Sequence, residues 1–163
     1  MAARTATLPV MVAVVILPLY RPVRLAEETV VLDIIARGRV SYVAAIGYRP
    51  EEYRRHGVDF HRRNAIAEEH LGVLLQAKTG EPFELHGQIL QITPTPFTPG
   101  GPRVTWCGGS VAAARRAGRH RMDSLAQSGD ESLRAAPVGG LPPDIAWRYL
   151  RTVVDEVVPA VNE

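Results

Sequence analysis

Val10-Met11-Val12-Ala13-Val14-Val15-Ile16-Leu17, a helical pattern from Pro22 to Ala36, then Val40-Ser41-Tyr42-Val43-Ala44-Ala45-Ile46: this stretch decides the fold. Val10–Leu17 is apolar on both faces and rich in β-branched residues, the signature of a buried strand. Pro22 suits the first turn of a helix, where its missing N–H is no loss. Leu25, Thr29 and Leu32, with Ala26 and Val30, recur at helical spacing, and Glu27, Glu28 and Asp33 interrupt them. Gly38 is placed to cap the helix C-terminus. Val40–Ile46 is a second apolar run. Strand, helix and strand in this order form a parallel crossover unit, so the fold class is α/β.

The pattern continues outward. Pro50-Glu51-Glu52-Tyr53 opens a short helix with acids in its first turn. Val58–His61 reads as a loop. A longer helix spans about Arg62 to Lys78, with Ile66, His70, Leu71, Leu74 and Leu75 on one face and Gly80 behind it. Phe83–Ile92 reads as a hairpin turning at His86-Gly87. Thr93–Pro102 holds four prolines and two glycines and is an extended connection, so 83–102 is a hairpin with a Pro-rich excursion. Arg103–Cys107 is a third strand. Gly108-Gly109-Ser110 leads into an Ala-rich helix from Val111 to about Met122, with Ser110 as N-cap. Ser124–Glu131 reads as a polar linker, Leu133–Val138 as a short strand, and Asp144–Val158 as a last helix stopped by Pro159.

Composition narrows the function classes. The 163 residues are 46% hydrophobic and 22% charged, which fits one globular domain, 1–163. The net charge of +2 gives no basic face, so nucleic acid is not an expected partner. One cysteine, Cys107, forms no internal disulfide. Arg4 before the apolar run Leu8–Tyr20 superficially matches a signal peptide. The run is too short to span a bilayer, contains Pro9 and Pro18, and is followed by Arg21-Pro22-Val23-Arg24 instead of a small-residue cleavage site, so a buried strand, no membrane association and a cytoplasmic location are the expectation.

In parallel α/β folds, sites collect at the C-terminal ends of strands. Cys107-Gly108-Gly109-Ser110 is the most informative end. Two glycines let a ligand approach the backbone, and Ser110 with the first helical N–H groups can receive a phosphate. A tight turn with an ordinary N-cap explains the same residues. No P-loop lysine, GxGxxG run or GxSxG elbow is present. The five histidines match no metal-binding or catalytic spacing, so no metal is expected and the catalytic residues stay unassigned. A helix N-terminus nearby could lower the Cys107 pKa, but a packed small residue is the commoner role. Arg115, Arg116, Arg119, His120 and Arg121 read as a solvated helix face.

Several strings together resemble the bacterial luciferase-like, flavin-dependent monooxygenase family. They are Val15–Glu28 with Leu32-Asp33 and Gly38-Arg39-Val40, then Gly47–Tyr53, Gly57–Arg63 and Thr79–Phe83 with Gly87. Cys107–Ser110, Gly139–Trp147 and Val157–Pro159 follow in the family's order. The resemblance implies a (β/α)8 TIM barrel that binds FMN, or alternatively a deazaflavin coenzyme. It implies an oxidoreductase that uses reduced flavin with oxygen on a small organic substrate, or that transfers hydride. Gly108, Gly109 and Ser110 would hold the flavin phosphate, and Ile46, Gly47 and Tyr48 would lie beside the flavin. Such barrels need about 250 residues. The expectation is therefore a partial barrel lacking the first strands and the sixth and seventh units, with 124–132 as the junction of an internal deletion. Ala36-Arg37 stands where the family usually has Ser-Gly. A partial barrel leaves sheet edges open, so the alternatives are a non-catalytic remnant, or a fragment that works only on association, as a homo-oligomer or with a complementing chain.

Overall fold

The computed structural model describes residues 2–125. Contacts divide the chain into two compact units, Met1–Val104 and Thr105–Glu163. The architecture is α/β with parallel strands, and among the described residues the sheet does not close into a barrel.

In the first unit, β1 (Val10–Ile16) and β2 (Val40–Ala45) pair in parallel from Val10↔Val40 to Ile16↔Ala45, with a bulge between Ala13 and Val15. Between them runs α1 (Pro22–Ala36), which starts at Pro22 as its sequence predicts. Its left-handed cap is Arg37, at φ 50°, one residue before the expected Gly38. The expected burial of β1 does not hold. Only Val15 is buried, while Met11 and Val14 are 64% and 47% exposed. An apolar strand is buried only when both faces and its free edge are covered, and among the described residues β1 has one strand partner, β2.

The chain then forms α2 (Pro50–Arg55) and a 3-10 turn at Phe60–Arg62, where the sequence suggested a loop. Asp59 starts that turn by accepting the His61 N–H at 2.8 Å. Helix α3 (Arg63–Ala77) packs on α1 and on a 3-10 turn at Leu17–Leu19. Its buried face is Ala67, Leu71, Val73, Leu74 and Ala77, and the expected Ile66, His70 and Leu75 are half-buried. Val15, Leu25, Tyr42, Ala44, Leu74 and Val104 close the core around a void of about 10 Å³. That is barely the size of one water, so the packing is near native density.

A hairpin follows, β3 (Phe83–Leu85) against β4 (Gln88–Leu90). Its turn residues His86 and Gly87 both have positive φ, at 52° and 77°, the requirement of a two-residue type I′ turn. The Pro-rich excursion after it is tied down. Thr98 donates its N–H and its hydroxyl to the buried Asp33 carboxylate, both at 2.7 Å. Lys78 Nζ donates to the Gly100 carbonyl at 2.7 Å. Asp33, which breaks the apolar pattern of α1 in the sequence, is thus the anchor of 93–102.

The second unit continues β5 (Arg103–Cys107) into α4 (Val111–Arg119) and β6 (Ser124–Leu125), with β6 parallel to β5. Ser124–Leu125 is a short strand, not linker. Helix α4 ends three residues before Met122, and Arg121 adopts a left-handed φ of 51°. Arg116 corrects the expected solvated basic face: it is buried, with its guanidinium 5.0 Å from the centre of the Trp106 ring. The expected strand at Leu133–Val138, the last helix and most of the 124–132 junction, where the sixth and seventh units are expected to be missing, lie outside the described residues.

Candidate functional site

The phosphate-binding candidate is built where β5 hands over to α4. Ser110 has extended backbone angles, and its Oγ accepts the Ala113 N–H at 3.2 Å. Its carbonyl also accepts from Ala113 and Ala114, at 2.9 and 3.1 Å. The amides of Val111 and Ala112 precede the first intrahelical bond, so they have no carbonyl of α4 to donate to. They point out of the helix start, where the dipole favours an anion.

Gly108 is set by close approach. A Cβ there would lie 2.7 Å from the Ala113 Cβ, a contact that side chains do not tolerate. The strand end can therefore lie against the first turn of α4 only as glycine. The Gly108 N–H donates to the Leu125 carbonyl at 3.1 Å, which fixes this turn to β6. The same Cβ position is 4.0 Å from Trp106 Nε1. That indole N–H is buried and has no hydrogen-bond partner among the described residues. A buried donor without a partner costs about 1–3 kcal/mol. A phosphate oxygen is the kind of acceptor that would relieve it, so the residues present fit a phosphate group. Cys107 is buried and its thiol is pushed up by that burial, so the helix start does not activate it.

The second candidate stretch follows β2 in the first unit. The Tyr53 hydroxyl donates to the Ile46 carbonyl. Tyr53 is fully buried, packs edge-on against Phe60 at 5.2 Å, and has its pKa raised by burial, so it remains a donor. Gly47 has φ +69°, and a Cβ there would come within 2.8 Å of Ile16 Cγ2. Tyr48 is 65% exposed beneath the Arg49 guanidinium, 5.6 Å away. Ile46 and Gly47 are thus pinned from both sides, while Tyr48 is exposed.

Ile16 also forms a wall of a cleft of about 280 Å³ in the same unit. Val14, Ile16, Leu19 and Tyr20 line one side, and Glu52, Arg55 and His56 of α2 line the other. The cleft is just below the usual range for ligand pockets, about 300–1,000 Å³, so it suits only a small ligand. Sequence reasoning missed it, because its polar residues show their i, i+3, i+4 spacing only once α2 is placed. It also missed Trp106 and Tyr53, whose lone polar atoms look like ordinary core aromatics in a string. Among the described residues no group of three or more His, Cys, Asp and Glu side chains could hold a metal ion. No described helix is long and apolar enough to cross a membrane.

Comparison with known proteins adds to this geometry. The family described as luciferase-like monooxygenase matches residues 1–136. An uncharacterized protein of Sinorhizobium fredii, y4vJ, is 37% identical over 94 residues, covering 58% of this chain and 27% of its own length. Monooxygenase RslO1 from Streptomyces bottropensis superposes with a TM-score of 0.70 at 20% identity, over 98% of this chain and 47% of its own. The oxygenating constituent of 3,6-diketocamphane monooxygenase from Pseudomonas putida, in complex with FMN, gives 0.66 at 20% identity, over 98% and 46%. This chain therefore spans about a quarter of the curated relative and just under half of these structural neighbours. At such identity the structural likeness shows the fold.

Proposed function

The chain belongs to the luciferase-like monooxygenase family, and from that premise we propose that it is a flavin-dependent oxidoreductase using reduced FMN and oxygen on a small organic substrate. The observation that carries the proposal is the start of α4. There Gly108 allows the close turn, Ser110 and the first amides face outward, and the buried Trp106 N–H lacks an acceptor. Gly108, Gly109 and Ser110 would receive the phosphate. Ile46, Gly47 and Tyr48 would lie beside the flavin, with Tyr53 holding the Ile46 carbonyl in place. FMN is preferred to a deazaflavin coenzyme because a similar fold is solved in complex with FMN. When bound, reduced flavin would supply the two electrons with which one oxygen atom enters the substrate and the other leaves as water. The chain's own part is to bind, orient and shield.

A second reading, that the chain turns over only after association, is favoured by β1, whose apolar Met11 and Val14 are exposed beside its single strand partner.

Titration of FMN with the protein, followed by flavin fluorescence, tests the proposal. Saturable quenching is expected, and Ser110→Ala should weaken it by about fivefold, the worth of one hydrogen bond of about 1 kcal/mol. Ser110→Asp separates cap from ligand. Aspartate is as good an N-cap as serine, so the fold is kept while a carboxylate meets the phosphate and affinity falls at least tenfold, about 1.4 kcal/mol. Unchanged affinity in both variants removes Ser110 from the site.

A further inference from the structure

The cleft beside Ile16 has two unlike walls. Ile16, Leu19 and Tyr20 make one of them apolar. Glu52, Arg55 and His56 make the other, at positions i, i+3 and i+4 of the chain through α2, and so share one face. Their charges do not cancel within the wall. The Glu52 carboxylate faces Arg49 at 3.9 Å. Arg55 has no ion pair or hydrogen bond among the described residues, and the His56 ring has none either. A guanidinium and an imidazole without partners among the described residues, both able to donate, therefore line the same cleft as the apolar side chains. Helix α2 is held from its buried side by Tyr53, through the Ile46 carbonyl and the Phe60 ring, so this lip is fixed in place.

We infer that this cleft takes the carboxylate of a small organic acid, with the anion on Arg55 and His56 and the apolar body against Ile16, Leu19 and Tyr20. Calling that acid the substrate rests on the flavin reading, since the cleft shares its Ile16 wall with Gly47. The binding itself does not need flavin.

The test uses the full chain without flavin and benzoate as probe, read by ligand-observed NMR. Benzoate is expected to bind, and benzamide, its neutral counterpart, about tenfold more weakly, as expected when a charge-assisted bidentate contact is lost. Arg55→Gln, on an exposed helix position that leaves the core untouched, should cost benzoate about the same factor and leave benzamide unchanged. His56→Gln should cost less. Equal affinity of benzoate and benzamide, or no effect of Arg55→Gln, overturns the inference. So does displacement of benzoate by inorganic phosphate at equal concentration, which marks a simple anion site, or by FMN, which marks the cofactor's own site. A separate FMN titration keeps the two ideas apart. FMN binding without benzoate binding sinks this inference alone, and benzoate binding without FMN binding upholds the cleft while sinking the flavin reading.

Discussion

Removing the Asp33 carboxylate should loosen the whole Pro-rich excursion. Asp33 is fully buried, and both its oxygens accept from Thr98, one from the N–H and one from the hydroxyl, at 2.7 Å each. Hydrogen bonds to a charged group contribute about 1.5–3 kcal/mol each, so the pair is worth roughly 3–6 kcal/mol. Asp33→Ala also removes the cost of burying a carboxylate, and half-buried Thr98 can turn to water. A net loss of about 3 kcal/mol is expected. Asp33→Asn keeps the shape, an acceptor for the N–H and a donor for the hydroxyl oxygen, and should cost only about 1 kcal/mol. Urea unfolding followed by far-UV circular dichroism reads both. With a slope of about 2 kcal/mol/M the midpoint should fall by about 1.5 M for Ala and about 0.5 M for Asn. A cycle with Thr98→Val should give a coupling of about 1–2 kcal/mol. A loss below about 1 kcal/mol for Ala, or no coupling to Thr98, would show that the excursion is held by its prolines and packing instead.

Two further outcomes follow from the same unit. Gly47→Ala forces a side chain onto positive φ and within 2.8 Å of Ile16 Cγ2, so it should destabilise by about 2 kcal/mol, and a variant as stable as wild type would contradict the turn geometry. The Tyr42 hydroxyl is pushed up to about 12 by burial, then by the Asp33 and Glu28 charges. Its folded pKa lies above the unfolded value, so its contribution is fully present below pH 10 and is lost as pH rises toward 12. Tyr42→Phe should flatten that alkaline loss in pH-dependent urea midpoints. An unchanged slope would show that Tyr42 does not titrate there.

Much of the fold was legible because its signals are local. Pro22 starts α1, Ser110 caps α4, and His86-Gly87 turns the hairpin, each through its own backbone chemistry. Misreadings came where a partner far along the chain decides the outcome. Asp33 interrupts an apolar pattern, yet it is buried because Thr98, 65 residues later, supplies two donors. Arg116 sits in a basic run, yet the Trp106 ring draws it inside. β1 has the composition of a central strand, but exposure depends on what lies across its edge, which its own residues do not encode. The candidate site divides the same way. Gly108–Ser110 could be picked out as a helix start suited to an anion, whereas the Trp106 donor and the α2 lip exist only in three dimensions.

The proposed function stands on a flavin held by its phosphate at the start of α4. The most direct measurement is a comparison of FMN with riboflavin, which has the same ring system and no phosphate, in parallel fluorescence titrations. FMN should bind at least tenfold more tightly, about 1.4 kcal/mol, with the difference shrinking as salt rises. Equal affinities, or no saturable quenching by either, would contradict the claim.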